Sequence, residues 1–442
     1  MSHSDTIYAL SSGALPSGVA VVRLSGGQAA ACLQALTGGQ RLPPPRQLVL
    51  RRLRGPGGET IDQALVAWLP GPASFTGEDS AEFHLHGGRA VVAALLAALA
   101  AQAGTRPAQP GEFSRRAFDH GRIDLTAAEA LADLIAAETE AQRRQAQRQA
   151  EGGLARLYDG WRTALIGLMA VLEADLDFAD EDLPADMLAP VGAGIGTLAA
   201  EITAHLADGH KGERLRDGLK VVVLGPPNAG KSSLINQIAR RDVAIVSGEA
   251  GTTRDLIEVH LDLVGLPVTL IDTAGLREAA GAVEAEGMRR ARQAAADAAM
   301  RLLVYDASVG PPPADLAAIA DADSVFIANK MDLGAAVPVP LDHWPVSAHS
   351  GAGLAALLEA IGARLAALYA PSEAPLLTRA RHRHALEETR AALARAEAML
   401  AQDSVLAAED LRLAARALGR ITGRVDVEDL LDRIFSDFCI GK

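Results

Sequence analysis

The sequence predicts a multidomain chain: an N-terminal α/β domain, then an all-α helical domain into which a second α/β domain is inserted. Three observations carry this. Residues 1–118 mix strand-like runs with helical spacing, residues 119–215 and 373–442 are dominated by long helical periodicity, and residues 216–372 alternate strands with helices again. At 442 residues and 49% hydrophobic content, the chain is too long for one core and apolar enough for two or three.

In the first domain, Gly18 to Leu24 reads as a strand, Gln28 to Leu36 as a helix, and Ala64 to Leu69 and Ala81 to His86 as strands. A helix from Arg89 to Gln102 follows, and the Pro-, Arg- and Gly-rich run from Arg41 to Gly58 reads as an exposed connection. In the helical part, Thr126 is the expected N-cap, with Glu129 completing a capping box. Helical spacing runs to about Ala150, again from Leu154 to Asp175, and from Met187 to Leu206, before a polar linker at Gly209 to Gly218. In the inserted domain, Val221 to Leu224 is a buried strand. Ile257, Val259, Leu261 and Leu263 alternate as a half-exposed strand, which Gly265 to Pro267 turns back into Val268 to Ile271. A second linker, Ala370 to Pro375, leads to helices from Arg379 onward.

Composition narrows the function. A formal charge of -13 argues against a generally basic nucleic-acid binder, while leaving room for a local basic site. Cys32 and Cys439 are too few for a disulfide framework. The first residues do not make a signal peptide, and the longest apolar run, Val91 to Ala101, is short of the roughly 20 residues of a membrane span. A soluble cytoplasmic protein is expected. Of the 42 basic residues only Lys211, Lys220, Lys231, Lys330 and Lys442 are lysines. Ammonium and guanidinium are not interchangeable at tight sites, so each retained lysine, Lys442 included, draws suspicion.

The inserted domain carries its chemistry openly. Gly225-Pro226-Pro227-Asn228-Ala229-Gly230-Lys231-Ser232 is a phosphate-binding loop after a strand, as in Ras-like P-loop GTPases. Its backbone N–H groups and the helix N-terminus face phosphate, Lys231 reaches the β and γ phosphates, and Ser232 binds Mg2+. Ser233 extends this turn. Asp272-Thr273-Ala274-Gly275 supplies a carboxylate behind the magnesium and an N–H for the γ phosphate. Asn329-Lys330-Met331-Asp332 reads guanine, because one carboxylate accepts from both N1 and the exocyclic amine; Ser347-Ala348 completes the base pocket. Thr253, in Gly251-Thr252-Thr253-Arg254-Asp255, is the expected switch ligand to Mg2+. GTP is therefore the expected ligand.

One part is missing. Leu276 stands where Ras-like enzymes place a water-orienting glutamine. Arg254 and Arg277 are candidate arginine fingers, with surface ion pairing the equal alternative. Asn228, with backbone carbonyls from Ser247 to Thr252, could instead hold K+ beside the phosphates. Glu284 is the candidate for polarising the water, against a solvated helix carboxylate.

At this point the chain resembles the MnmE (TrmE) family of bacterial tRNA-modification GTPases, within the TrmE-Era-EngA-like GTPases. The resemblance runs through Asp5-Thr6-Ile7, Ser74-Phe75-Thr76-Gly77-Glu78-Asp79, His84-Leu85-His86-Gly87-Gly88 and the run from Pro110 to Phe118. It continues with Asp124 to Ala130 and the tail Phe438-Cys439-Ile440-Gly441-Lys442. It implies a homodimer joined through N-terminal domains, with 5-formyltetrahydrofolate or a related tetrahydrofolate bound there by Arg23, Glu82, Arg122 and Lys442. It implies a flavin-dependent partner, MnmG, in a heterotetramer that adds an aminomethyl or carboxymethylaminomethyl group to C5 of the wobble uridine of certain tRNAs. It likewise assigns K+ to Asn228 and carbonyls near Ser247, Glu249 and Thr252, and water activation to Glu284. Two features depart from the family: the loop Ser11 to Gly18 lacks its usual Pro-Pro-Gly-Arg-Gly-like run, and Arg122 stands where lysine is common.

Other readings remain open in the sequence. Cys439 fits a nucleophile and equally a small buried residue at an apolar helix end. His84 and His86 alternate on a strand and suggest a metal, but with no cysteine or carboxylate at usable spacing on the same face a metal site is rejected. Arg412, Arg416, Arg420 and Arg424 form an i, i+4 stripe that suits tRNA phosphates or acidic partners alike. The rival function is a regulatory switch, such as a ribosome-assembly GTPase that binds RNA without covalent chemistry.

Overall fold

The computed structural model describes residues 5–177, 188–208, 210–241, 243–245, 258–272, 298–369, 375–425, 428–436 and 438–441. The chain gathers into two compact units. One comprises Met1–Ala132, Ala155–Arg162 and Arg416–Lys442; the other comprises Asp133–Leu154 and Thr163–Ala415.

The first unit is built on a six-stranded sheet in the order β3-β4-β5-β2-β1-β6. Its strands are β1 (Thr6–Leu10), β2 (Ser17–Ser25), β3 (Leu48–Arg54), β4 (Thr60–Leu69), β5 (Ser80–Gly87) and β6 (Thr105–Pro107). Alternation sorts the faces. Val22, Leu24, Val66, Phe83 and Leu85 point into a core shared with α1 (Ala29–Leu36) and α2 (Arg89–Ala100), while Arg23, Leu65 and Glu82 lie on the opposite face. Besides the three-residue β6, two strands escaped the sequence reading. β1 is a short buried strand, and β3 lies inside the run expected to be a connection. The alternation of Leu48 to Arg54 is hard to read because β3 is an edge strand, where charge is tolerated on both faces.

The same unit brings the chain ends together. The first turns of a helix beginning at Leu125 and a C-terminal helix of residues Glu428–Ser436 share a core of Leu125, Ala128, Leu431, Phe435 and Phe438, against which Phe118 of α3 (Glu112–Asp119) packs. Beyond that helix, Ile440 bridges Pro110 and Gly441 lies against β1, its φ of 97° and the nearby Leu10 carbonyl leaving no room for a side chain. Cys439 is exposed and lies outside any helix, which corrects its reading as a buried helix-end residue.

The second unit holds another six-stranded sheet, ordered β12-β11-β10-β7-β9-β8 and parallel except for β8. These are β7 (Leu219–Leu224), β8 (Glu258–Leu263), β9 (Leu266–Asp272), β10 (Met300–Asp306), β11 (Ser324–Asn329) and β12 (Trp344–Pro345). β7 and β9 are almost wholly buried, as parallel strands covered on both faces must be. The β8–β9 turn is Val264-Gly265, both with positive φ, one step earlier than the glycine-to-proline turn expected.

The helices also differ in detail. Asp124, rather than Thr126, caps α4 (Leu125–Ala136): its carboxylate accepts from the N–H groups of Thr126 and Ala127 at 2.7 and 3.0 Å. The helix then breaks, and α5 (Glu140–Ala150) starts afresh behind Thr139, whose N–H donates to Gln142 Oε1 at 3.2 Å. α6 (Gly153–Asp177) and α7 (Ala189–Leu206) follow. The expected polar linker before β7 contains α8 (Lys211–Asp217). The linker residues 370–374 lie outside the described residues.

Candidate functional site

The phosphate loop joins β7 to α9 (Lys231–Ala239). Gly225 passes so close to β10 that a Cβ would stand 2.1 Å from the Val304 carbonyl, and at Gly230, with φ 91°, a Cβ would stand 2.3 Å from Asn329 Nδ2. Only glycine permits this packing. Asn228 also has positive φ, 62°, and is exposed at the loop crest. Ala229 is buried beneath it, and Ser233 is exposed on the first turn of α9.

Lys231 curls back over the loop, its Nζ donating to the Gly225 and Pro226 carbonyls at 3.0 Å each. Ser232 Oγ donates to Asp272 Oδ2 at 2.7 Å. Asp272, the last residue of β9, is buried, so the two oxygens required behind a magnesium ion are already adjacent. Hydroxyl and carboxylate are hard donors, which fit that ion.

The residues expected to read the base stand at the same end of the sheet. Asn329, ending β11, braces two loops: its Nδ2 donates to the Ala229 carbonyl at 2.8 Å and its Oδ1 accepts from the Ala348 N–H at 3.0 Å. Asp332 accepts from Ser347 Oγ at 2.6 Å, and that hydrogen bond holds its carboxyl below the usual range. Lys330 has φ 63° and pairs with Asp306 at 2.6 Å. Burial opposes ionisation of Asp306, yet hydrogen bonds from Lys330 and Ser308 hold its pKa down. An open cavity of about 420 Å³ lies among Gly230, Ser233, Asn329, Lys330, Asp332 and Ala348. Asp306 and His349, which also lines the cavity, were missed in the sequence; the end of apolar β10 was the only signal for Asp306. Ser247, Glu249, Thr252, Thr253, Arg254, Thr273, Ala274, Gly275, Leu276, Arg277 and Glu284 lie outside the described residues.

The residues expected around a folate group differently. Arg23 on β2 and Glu82 on β5 are register partners, and Arg23 Nε and Nη2 both donate to Glu82 Oε1 at 3.2 Å. The Arg23 guanidinium lies 5.8 Å from the ring centres of both Phe75 and Phe113. Arg122 is exposed; its Cγ approaches the backbone of Gly77 in the loop that carries Phe75. Lys442 lies outside the described residues, but Gly441 before it is fixed by Ser11 Oγ, which donates to its carbonyl at 2.9 Å. Ala9 of β1 pairs with Arg23, and Leu10 touches Gly441, so the tail docks one residue along from the Arg23–Glu82 pair.

A buried charge network ties this end together. Fully buried Arg116 donates to Asp5 at 2.8 Å, Glu112 at 3.0 Å and Glu78 at 3.1 Å. Burial alone would raise the Glu112 and Asp5 pKa values, but hydrogen bonds from Arg106 and Arg116 keep both below their usual ranges. Glu78 also accepts from Ser25 Oγ at 2.8 Å, which anchors the loop from Ser74 to Asp79.

The other candidates resolve simply. His84 approaches Glu82 and His86 bonds Asp62, so carboxylates do flank both histidines, contrary to the sequence reading. No cluster of three potential ligands occurs among the described residues. Arg412 pairs with Glu173 at 2.8 Å and Arg424 with Asp159 at 2.7 Å, which favours the acidic-partner reading of that stripe. No helix among the described residues is long and apolar enough to cross a membrane.

Fold and site together define a P-loop GTPase domain set within a larger chain. The family model described as the MnmE helical domain matches residues 125–439, and that of the GTP-binding protein TrmE N-terminus matches residues 6–122. A tRNA modification GTPase MnmE of Parvibaculum lavamentivorans is 56% identical over 446 residues, covering 99% of this chain and 100% of its own. Those of Rhodospirillum rubrum and Paramagnetospirillum magneticum are 55% and 54% identical, each across 99% of this chain and 99% and 100% of their own. The chain belongs to the MnmE (TrmE) family of tRNA modification GTPases.

Proposed function

We propose that this chain is a potassium-activated GTPase that serves the modification of wobble uridine C5 in certain tRNAs. The observation that carries the nucleotide half is the meeting of Lys231, Ser232–Asp272 and Asp332–Ser347 at one end of a parallel sheet. That is where open α/β sheets bind ligands. The tRNA half rests on the near full-length likeness to tRNA modification GTPases.

In this reading Lys231 releases its two carbonyl partners to hold the β and γ phosphates, and Ser232 turns its hydroxyl from Asp272 towards Mg2+, with Asp272 behind it. Asp332, kept ionised by Ser347, accepts from the guanine edge. Asn228 presents its side chain at the loop crest, where K+ would supply positive charge as the γ phosphate departs. Ser247, Glu249, Thr252 and Thr253 complete the two cation shells, and Glu284 polarises the water.

The N-terminal unit takes the folate. Glu82 faces the pterin's N–H edge, with Arg23, Arg122 and Lys442 for the charged end; the paired, half-buried Arg23 and Glu82 beside two aromatic rings fit a planar, charged ligand. A bound tetrahydrofolate would supply the one-carbon unit. The same reading joins two copies of the chain as a homodimer through this unit. A flavin-dependent partner would complete a cytoplasmic complex.

Hydrolysis in potassium against sodium at matched ionic strength tests the mechanism. Strong stimulation by potassium is expected. Equal rates in both salts would overturn the cation model, and absence of turnover in either would overturn the enzyme.

A further inference from the structure

From Thr6 to Gly58 the chain has no acidic residue, although it carries 55 elsewhere. The stretch holds six arginines. Arg23 is paired with Glu82, but Arg41, Arg46, Arg51, Arg52 and Arg54 crowd into the strap before β3 and into β3 itself. β3 is the outer strand of its sheet, bonded to β4 alone.

These five differ from many other arginines of the molecule. Arg106, Arg116, Arg383, Arg412 and Arg424 each meet carboxylates. In the strap and edge the arginines turn to backbone carbonyls instead: Arg46 donates to Ala73 at 2.9 Å, Arg54 to Gly58 at 3.1 Å and Arg51 to Leu50 at 3.4 Å. Arg51 Nε is buried with no acceptor. Register places Arg51 opposite Ala64 on the core side and Arg52 opposite Gln63 on the open side, so cationic groups flank the edge on both faces.

Two ordinary explanations fall short. Charges on an outer strand do guard against edge-to-edge pairing, but Arg41 and Arg46 precede the strand, and Arg46 sits in a turn with φ 62° whose N–H is already taken by the Trp68 carbonyl of β4. The preference for arginine over lysine across the chain explains which base is used. It does not explain why Asp and Glu vanish over this stretch.

We infer that this arginine edge docks the sugar–phosphate backbone of the tRNA substrate, gripping phosphates rather than reading bases. Guanidinium forks match phosphate oxygens in bidentate fashion, and a local cationic strip on a chain of net charge -13 confines a polyanion to one surface. The inference rests on the tRNA reading above and names the surface that serves it.

The test uses the full-length protein and an unmodified tRNA transcript, with affinity measured across a salt series. In the triple variant Arg51→Gln, Arg52→Gln, Arg54→Gln, roughly tenfold weaker binding is expected, and a log–log salt slope shallower by about 2 to 3. GTP hydrolysis and the unfolding temperature should not change, and lysine at the same three positions should restore most of the slope. A second variant, Arg41→Gln with Arg46→Gln, leaves the strand untouched and should flatten the slope by about 1 to 2. Wild-type slope and affinity in both variants would overturn the arginine edge while leaving the tRNA reading intact. Failure of the wild-type protein to bind tRNA at low salt, with GTP hydrolysis intact, would overturn both. If the triple variant aggregates, the Arg41 and Arg46 pair decides: an unchanged slope there overturns the inference.

Discussion

Asn329 and Asp332 are three residues apart in one motif and do different work. Asn329 spends its amide on protein, tying the phosphate loop at Ala229 to the base loop at Ala348. Asp332 is exposed in the cavity, and its ionisation is secured by Ser347. Asp332→Asn replaces one acceptor with a donor, so preference should shift from guanosine towards xanthosine nucleotides. Direct titration with both checks this, and an unchanged GTP affinity would refute it. The motif itself was legible because residue type and spacing define it. The brace was not, since nothing in the sequence says that Asn329 reaches a loop one hundred residues away. Nor did it reveal Asp306 as the partner that fixes Lys330.

Among the elements, the β8–β9 hairpin is the one where local chemistry and tertiary demand disagree. Its two-residue turn needs positive φ at both positions, which suits Gly265 and strains the β-branched Val264 at φ 58°. The turn is nevertheless held from outside, because Ala141 of α5 sits in the core of the nucleotide sheet and its N–H donates to the Gly265 carbonyl at 3.0 Å. Val264→Asn should therefore stabilise the protein by about 0.5–1 kcal/mol, read as a rise in unfolding temperature with nucleotide affinity unchanged. A fall would mean that the contact of Val264 with Gly362 outweighs the backbone strain. The elements missed in the sequence were of two kinds. β1 and α8 are short, and short elements draw their stability from neighbours rather than from periodicity, while the seven-residue β3 was hidden by the charges that an edge strand tolerates.

At the scale of the molecule, the C-terminal tail is part of the N-terminal unit. Phe438 is buried against Leu125 and Phe435, Ile440 bridges Pro110, and Ser11 holds Gly441. Truncation after Ser436 removes the buried Phe438 ring and should cost that unit about 2–4 kcal/mol, leaving GTP affinity intact. Unfolding followed with and without GTP separates the two; a matching loss of GTP affinity would contradict it. The sequence by itself determined the kinds of domain in the chain, the phosphate loop, the guanine motif and the family. Those are matters of residue type at fixed local spacing, where backbone geometry alone dictates which side chains can serve. The tertiary structure decided what depends on distant segments meeting: the pairing of Arg23 with Glu82 across two strands, the buried Arg116 network, the edge position of the arginine-rich β3, and the docking of the tail on β1. Sheet register and core packing set these contacts, and both are settled only when the whole chain has closed on its apolar residues.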